Sequence, residues 1–247
     1  MNPIDALSPI DAPGTGEDAW RAWPGLAQLP PAGLGSPASV VVLAAHPDDE
    51  VLGAGGILCL LASAGVRLRL VAVTDGEASH RGQLDPGELI ARRCAERAAA
   101  LRELGAGAAE VIRLRLPDSG LDHREPELTT LVRPLLAGFD ACLAPWENDV
   151  HADHEAVGRA ARRAAPRLFF YPVWMWHWAR PGDPRVPWPR AIRVPLTAAA
   201  AERKRTAIGC FASQLGGRAD GLGPVLEPGF VAHFTRDFEL LFPAGCR

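Results

Sequence analysis

Two short clusters carry residue types that bind cations and move protons: His46-Pro47-Asp48-Asp49-Glu50 and His151-Ala152-Asp153-His154. The first sets one imidazole and three carboxylates on a single loop. Zinc takes imidazole nitrogen and carboxylate oxygen at about 2.0–2.2 Å, and its catalytic sites usually have three protein ligands and one open position. The second cluster supplies the nitrogen that is still missing. With a helix beginning near Asp153, both of its histidines can point toward one rim, one to hold a metal and the other to stand over a substrate. Each aspartate taken alone reads equally well as a helix cap, Asp48 or Asp49 before one helix and Asp153 before another. Two such clusters at two strand ends are better explained by a metal site, with zinc as the ion and ferrous iron as the alternative.

The elements that must position these clusters are written in the apolar pattern. Ser39 to Ala45 is a continuous apolar run, the pattern of a strand buried on both faces. Similar runs recur at Leu68 to Val73, Val111 to Leu116, Ala141 to Ala144 and Leu168 to Val173. Helical stretches separate them at about Gly55 to Ala64, Glu88 to Leu104, Glu125 to Leu136 and Asp153 to Ala164. A strand at Ala191 to Val194, a helix from Thr197 to Phe211 and a C-terminal segment complete the chain. Alternation of this kind predicts an α/β fold with a mostly parallel sheet and right-handed crossovers. Ligands of such sheets bind outside the carboxyl ends of the strands. Both clusters follow a strand directly, as do Thr74-Asp75-Gly76-Glu77 and Pro117-Asp118-Ser119-Gly120, so four loops are expected to converge on one rim.

Composition narrows the partners. The 247 residues carry a formal net charge of only −3, which argues against nucleic acid or an anionic membrane as the main partner. No apolar run approaches the roughly 20 residues of a membrane span, and the start of the chain lacks the pattern of a secretory signal. A cytoplasmic protein is expected, and a homo-oligomer is compatible with it. The five cysteines form no CxxC pair and read as reduced thiols. Residues 1–38, rich in Pro, Gly, Ala and Asp, read as a flexible arm anchored by Trp20 and Trp23, dispensable for chemistry, ahead of one domain at 39–247. Trp174, Trp176 and Trp178 alternate and would share one face of an extended segment, serving as core or interface before sugar binding. Gly53, Gly55 and Gly56 do not make a dinucleotide fingerprint, because they come late after the strand and lack the last glycine of GxGxxG.

Ala45-His-Pro-Asp-Asp-Glu50 followed by His151-x-Asp-His154 resembles the PIG-L/LmbE-like de-N-acetylases. The likeness runs from about Val40 to Ala165, with a weaker trace at Ser213-Gln214. It implies a Rossmann-like three-layer α/β/α fold and zinc-dependent hydrolysis of an N-acetylated amino sugar in a small glycoconjugate. It further implies His46, Asp49 and His154 as metal ligands, Asp48 as general base, His151 at the oxyanion or leaving amine, and Asp153 as the group that orients His151. Arg93, in a helix similar to the family's Arg-x-x-Glu helix, and Asp118 are the implied substrate contacts; a solvated helix face and a turn are the plainer readings. Asp149 stands where the mycothiol-pathway relative has a catalytic tyrosine, so oxyanion help is expected from elsewhere. The rival readings are an amidase for a larger acyl group or thiol conjugate, and a non-catalytic carbohydrate-binding protein.

Overall fold

The computed structural model describes residues 10, 12–80, 82, 84–218, 221 and 223–245. The apolar runs become a seven-stranded sheet in the order β3-β2-β1-β4-β5-β7-β6. The chain runs through α1 (Glu17–Ala22), α2 (Pro24–Ala27), β1 (Ser39–Ala44), α3 (Asp49–Ser63), β2 (Arg67–Ala72), α4 (Pro86–Glu103) and β3 (Glu110–Arg113). It continues through α5 (Glu125–Leu136), β4 (Ala141–Pro145), α6 (Ala152–Ala164), β5 (Leu168–Tyr171), α7 (Met175–Trp178) and β6 (Ile192–Pro195). Helices α8 (Ala198–Ile208), α9 (Ala212–Leu215) and α10 (Pro228–Ala232) lead to the last strand, β7 (Phe238–Pro243).

Strands β1 to β5 pair in parallel, with β1 and β2 in register from Ser39 opposite Arg67 to Ala44 opposite Ala72. Every residue of β1 is buried, as its unbroken apolar run requires. The chain leaves β1 toward β2 and β3, then returns to β4 on the other flank of β1. Right-handed crossovers therefore put α3 and α4 on one face and α5 and α6 on the other. The point where the order reverses, between the carboxyl ends of β1 and β4, is where open α/β sheets form a ligand crevice. His46 and His154 both lie there. Strand β7, not anticipated from the sequence, pairs antiparallel with β5 and with β6.

Two local expectations need correction. The segment Trp174 to Trp178 is not extended, because α7 winds it into a helical turn and sends its tryptophans in different directions. Trp176 is buried, while Trp174 stacks on Phe230 with ring centroids 4.6 Å apart. The predicted helix from Thr197 to Phe211 breaks after Ile208 into α8 and α9. The described part of the N-terminal arm is anchored at Trp20, as expected, and at further points besides. Trp20 is fully buried, donates its indole N–H to the Trp176 carbonyl at 2.8 Å and meets the Trp176 ring edge-on. Glu17 accepts from Arg236 and from His233, and Pro31 forms a bridge to Arg193 of β6. Met1 to Pro9 and Asp11 lie outside the described residues, as does Cys246. The other four cysteines are free thiols.

Candidate active site

The turn after β1 places Asp48 at φ 148°, a left-handed conformation that costs a non-glycine residue on the order of 1–3 kcal/mol. Arg93 of α4 holds it there. One guanidinium nitrogen donates to the Asp48 carboxylate at 3.0 Å and to the Pro47 carbonyl at 2.9 Å. The other terminal nitrogen donates to the Gly76 carbonyl at 2.8 Å. Gly76 itself has φ +72°, and a Cβ there would lie 2.1 Å from Arg93. Asp48 opens α3 without capping it through its side chain. The next carboxylate, Asp49, accepts the His46 backbone N–H at 2.8 Å through Oδ2, which also lies 3.4 Å from His46 Nδ1. Its Oδ1 lies 3.2 Å from His154 Nε2.

The loop after β4 turns through Val150, whose φ of 71° is unusual for a β-branched residue. Its N–H is taken by the Glu155 carboxylate at 3.1 Å. That turn sends Asp149 and His151 apart. Asp149 is fully buried and accepts from His154 Nδ1 at 2.8 Å. It also accepts the backbone N–H groups of Val173, Trp174 and Met175 at 2.8 to 3.2 Å. These donors need an acceptor, so His154 carries its proton on Nδ1 and aims Nε2 inward. Nε2 is buried and has no hydrogen-bond partner. His46 is fixed from its far side, with Nε2 3.3 Å from both Asp118 and Asp153.

Potential ligand atoms of His46, Asp49 and His154 lie within 4.8 Å of one another, and so do those of His46, His151 and Asp153. Hydrogen bonding distinguishes the two groups. Asp153 already accepts three backbone N–H groups, from Ser119, Gly120 and Leu121. Asp49 accepts only one and faces the unpaired His154 nitrogen. Imidazole and carboxylate donors suit zinc.

The electrostatics describe a place built for positive charge. Burial works against ionising Asp49, yet His154 and His46 hold its carboxyl well below the usual range. Burial opposes protonation of His154 too, but Asp49 and Asp149 raise it to about 9. His46 is raised well above its ordinary value against burial by Asp118, Asp153 and Asp49. His151 goes the other way: burial and the charges of His154 and His46 push it down to about 3. Burial pushes the Asp48 carboxyl up to about 7, against the pull of Arg93.

All eight residues singled out from the sequence come together at this crevice, though not in every expected posture. Asp153 does not bond His151: its oxygens are spent on the 119–121 backbone and on His46, and His151 Nδ1 is buried without a partner. Arg93 also lines the cavity, but it is 2% exposed and its terminal nitrogens clasp the chain and hold Asp48. Asp118 lines the cavity but has one oxygen near His46 and the other accepting the Ala78 N–H at 2.8 Å. Glu77 accepts the Asp118 N–H, whereas Asp75 pairs with Arg113. The sequence reading missed Asp149 as the partner of His154 and the aromatic wall of Trp174 and Phe230. Only the position of Asp149 two residues before His151 could have signalled it. Ser213 is held by Glu96 of α4, and the neighbouring Gln214 lines the cavity.

Known structures share this frame. N,N'-diacetylchitobiose deacetylase from Pyrococcus horikoshii is 21% identical, with 71% of this chain and 70% of that chain covered and a TM-score of 0.55. A deacetylase of teicoplanin biosynthesis is 19% identical over 83% of this chain and 97% of its own, at a TM-score of 0.64. GalB, the 4-carboxy-2-hydroxymuconate hydratase of Pseudomonas putida KT2440, is 18% identical over 85% and 97%, at a TM-score of 0.59. Likeness at this distance carries the fold, and the fold alone does not fix the reaction. The sequence goes further. The family model described as PIG-L, GlcNAc-PI de-N-acetylase, matches residues 41–165, half of the chain, from β1 through the end of α6. Both clusters and the strands that carry them lie within that match, and the chain belongs to the PIG-L family of de-N-acetylating hydrolases.

Proposed function

We propose that this protein is a zinc-dependent de-N-acetylase that removes the acetyl group from an N-acetylglucosamine-type sugar in a small glycoconjugate. The observation that carries the metal is His154 Nε2: buried, unpaired, facing Asp49, with its other nitrogen committed to Asp149. His46, Asp49 and His154 would hold the ion. When bound, zinc supplies Lewis acidity to the acyl group and lowers the pKa of the attacking water.

The chain's own residues do the rest. Asp48 takes the proton from water and returns it to the amine nitrogen as the C–N bond breaks. A positive ion beside it favours the carboxylate over the acid, which suits a base at neutral pH. Arg93 keeps that carboxylate aimed across the strained turn. His151, kept neutral near pH 7 by burial and by the charges of His154 and His46, donates an N–H hydrogen bond to the oxyanion. The narrow cavity, about 180 Å³, favours one sugar-sized group over a bulky acyl chain.

The test is a panel of N-acetylglucosaminides and larger N-acyl analogues, scored for free amine with purified protein of known metal content. Release from the acetyl compounds supports the reading. Turnover confined to larger acyl groups moves it to an amidase, and binding without turnover moves it to a carbohydrate-binding protein.

A further inference from the structure

A second space adjoins the sugar-sized chamber at the crevice. The chamber's outer wall, Trp174, Phe230 and Val225, is also the inner wall of this second space of about 560 Å³. The far side of that space is the N-terminal strap 12–16. Small-molecule sites usually occupy about 300–1,000 Å³. The inner chamber alone falls below that range, and the chamber with its annex falls within it.

The strap is fastened in place. His177 Nε2 donates to the Ala12 carbonyl at 2.8 Å, the Thr15 N–H donates to the His177 carbonyl at 2.8 Å, and the Thr15 hydroxyl donates to the Ala179 carbonyl at 2.6 Å. Gly14 passes so close to His177 that a Cβ would lie 2.2 Å from the ring. These bonds also decide what the annex can recognise. The Thr15 hydroxyl and His177 Nε2 are consumed by the strap, and His233 Nδ1 by Glu17. Arg218 and Glu227 offset each other in charge among the lining residues. Apolar surface for a ligand is supplied by Pro13, Pro224, Val225, Phe230 and the edge of Trp174, beside the polar groups of Arg218 and Glu227.

From this shared lining we propose that the annex is a second subsite, formed in part by the N-terminal strap, for the aglycone of an amino-sugar glycoside whose first group beyond the sugar is an apolar ring or chain. It rests on the sugar reading of the inner chamber and names what lies next to that sugar.

Binding can be measured without turnover by using deacetylated ligands. Glucosamine and 4-nitrophenyl β-glucosaminide are titrated calorimetrically into the zinc-loaded wild type, into Gly14→Ala and into a chain lacking residues 1–13. The truncation retains Glu17 and Trp20, which fasten the rest of the segment. Burying one aryl group is expected to tighten binding about tenfold in the wild type, and that advantage should fall to about twofold or less in both variants. No aryl advantage in the wild type, or an advantage that survives both changes, overturns the subsite. Acetate release from N-acetylglucosaminides is scored separately, so failure of the deacetylase reading is seen in that assay and not in this one.

Discussion

Asp149 and His154 are five residues apart and form one hydrogen-bonded unit, with the carboxylate 2.8 Å from Nδ1 of the imidazole and fully buried. The same carboxylate gathers the backbone N–H groups of residues 173–175, so it couples the metal-facing histidine to the start of the turn that carries Trp174. An amide in its place must turn an NH₂ toward one of these donors. Asp149→Asn should therefore weaken zinc binding by roughly 10–100-fold, the usual effect of losing the partner of a ligating histidine. Competition with a chelator measures this. Trp178→Phe, which removes the bond to the Asp149 carbonyl and keeps an aromatic ring between Trp146 and Arg185, should leave zinc affinity unchanged. Equal losses in both variants would reduce Asp149 to a structural part.

Arg93 offers a second separation. As the clasp of residues 47, 48 and 76, it should act on turnover. Arg93→Lys has one nitrogen for three acceptors and should lower kcat at least ~10-fold, the full ~10²–10⁴-fold of general base catalysis being the upper bound, with KM moving much less. Steady-state kinetics on one N-acetylglucosaminide decides the matter. A rise in KM at constant kcat would restore Arg93 as a substrate contact.

The strands and the two motif loops were legible because each depends on local pattern: unbroken apolar runs for β1 and β4, and catalytic residue types directly after them. Postures were not legible, because they depend on partners far along the chain. That Arg93 spends its guanidinium on the Asp48 turn, 45 positions away, is not visible in the α4 sequence. The tryptophan triplet alternates like a strand, yet three of the N–H groups at its start are claimed by Asp149, and the chain winds into α7. Likewise, the N-terminal composition suggests a loose arm, while Trp20 and Glu17 find buried partners 156 and 219 residues away.

Glu17 makes that anchoring measurable through pH. Burial would raise its carboxyl, but hydrogen bonds from His233 and Arg236 bring it down to about 2 from an ordinary 4.5. A lowered folded-state pKa contributes stability that is fully present above about 4.5 and is lost as pH falls toward about 2. Glu17→Gln should be less stable than the wild type at neutral pH, with the gap in Tm closing across that acidic window. A gap independent of pH would show that the ion pairs contribute nothing.

The central claim is that two adjacent aspartates divide the work, Asp49 holding zinc and Asp48 moving the proton. The most direct measurement is a zinc titration of the wild type, Asp48→Asn and Asp49→Asn, each followed by acetate release from an N-acetylglucosaminide at saturating zinc. The wild type should bind about one zinc per chain and lose activity to a chelator. Asp48→Asn should keep the zinc yet lose roughly 10²–10⁴-fold in turnover. Asp49→Asn should bind zinc weakly and recover part of its activity as zinc is raised. Both variants losing metal together, both retaining activity, or a metal-free wild type that still releases acetate would contradict the account.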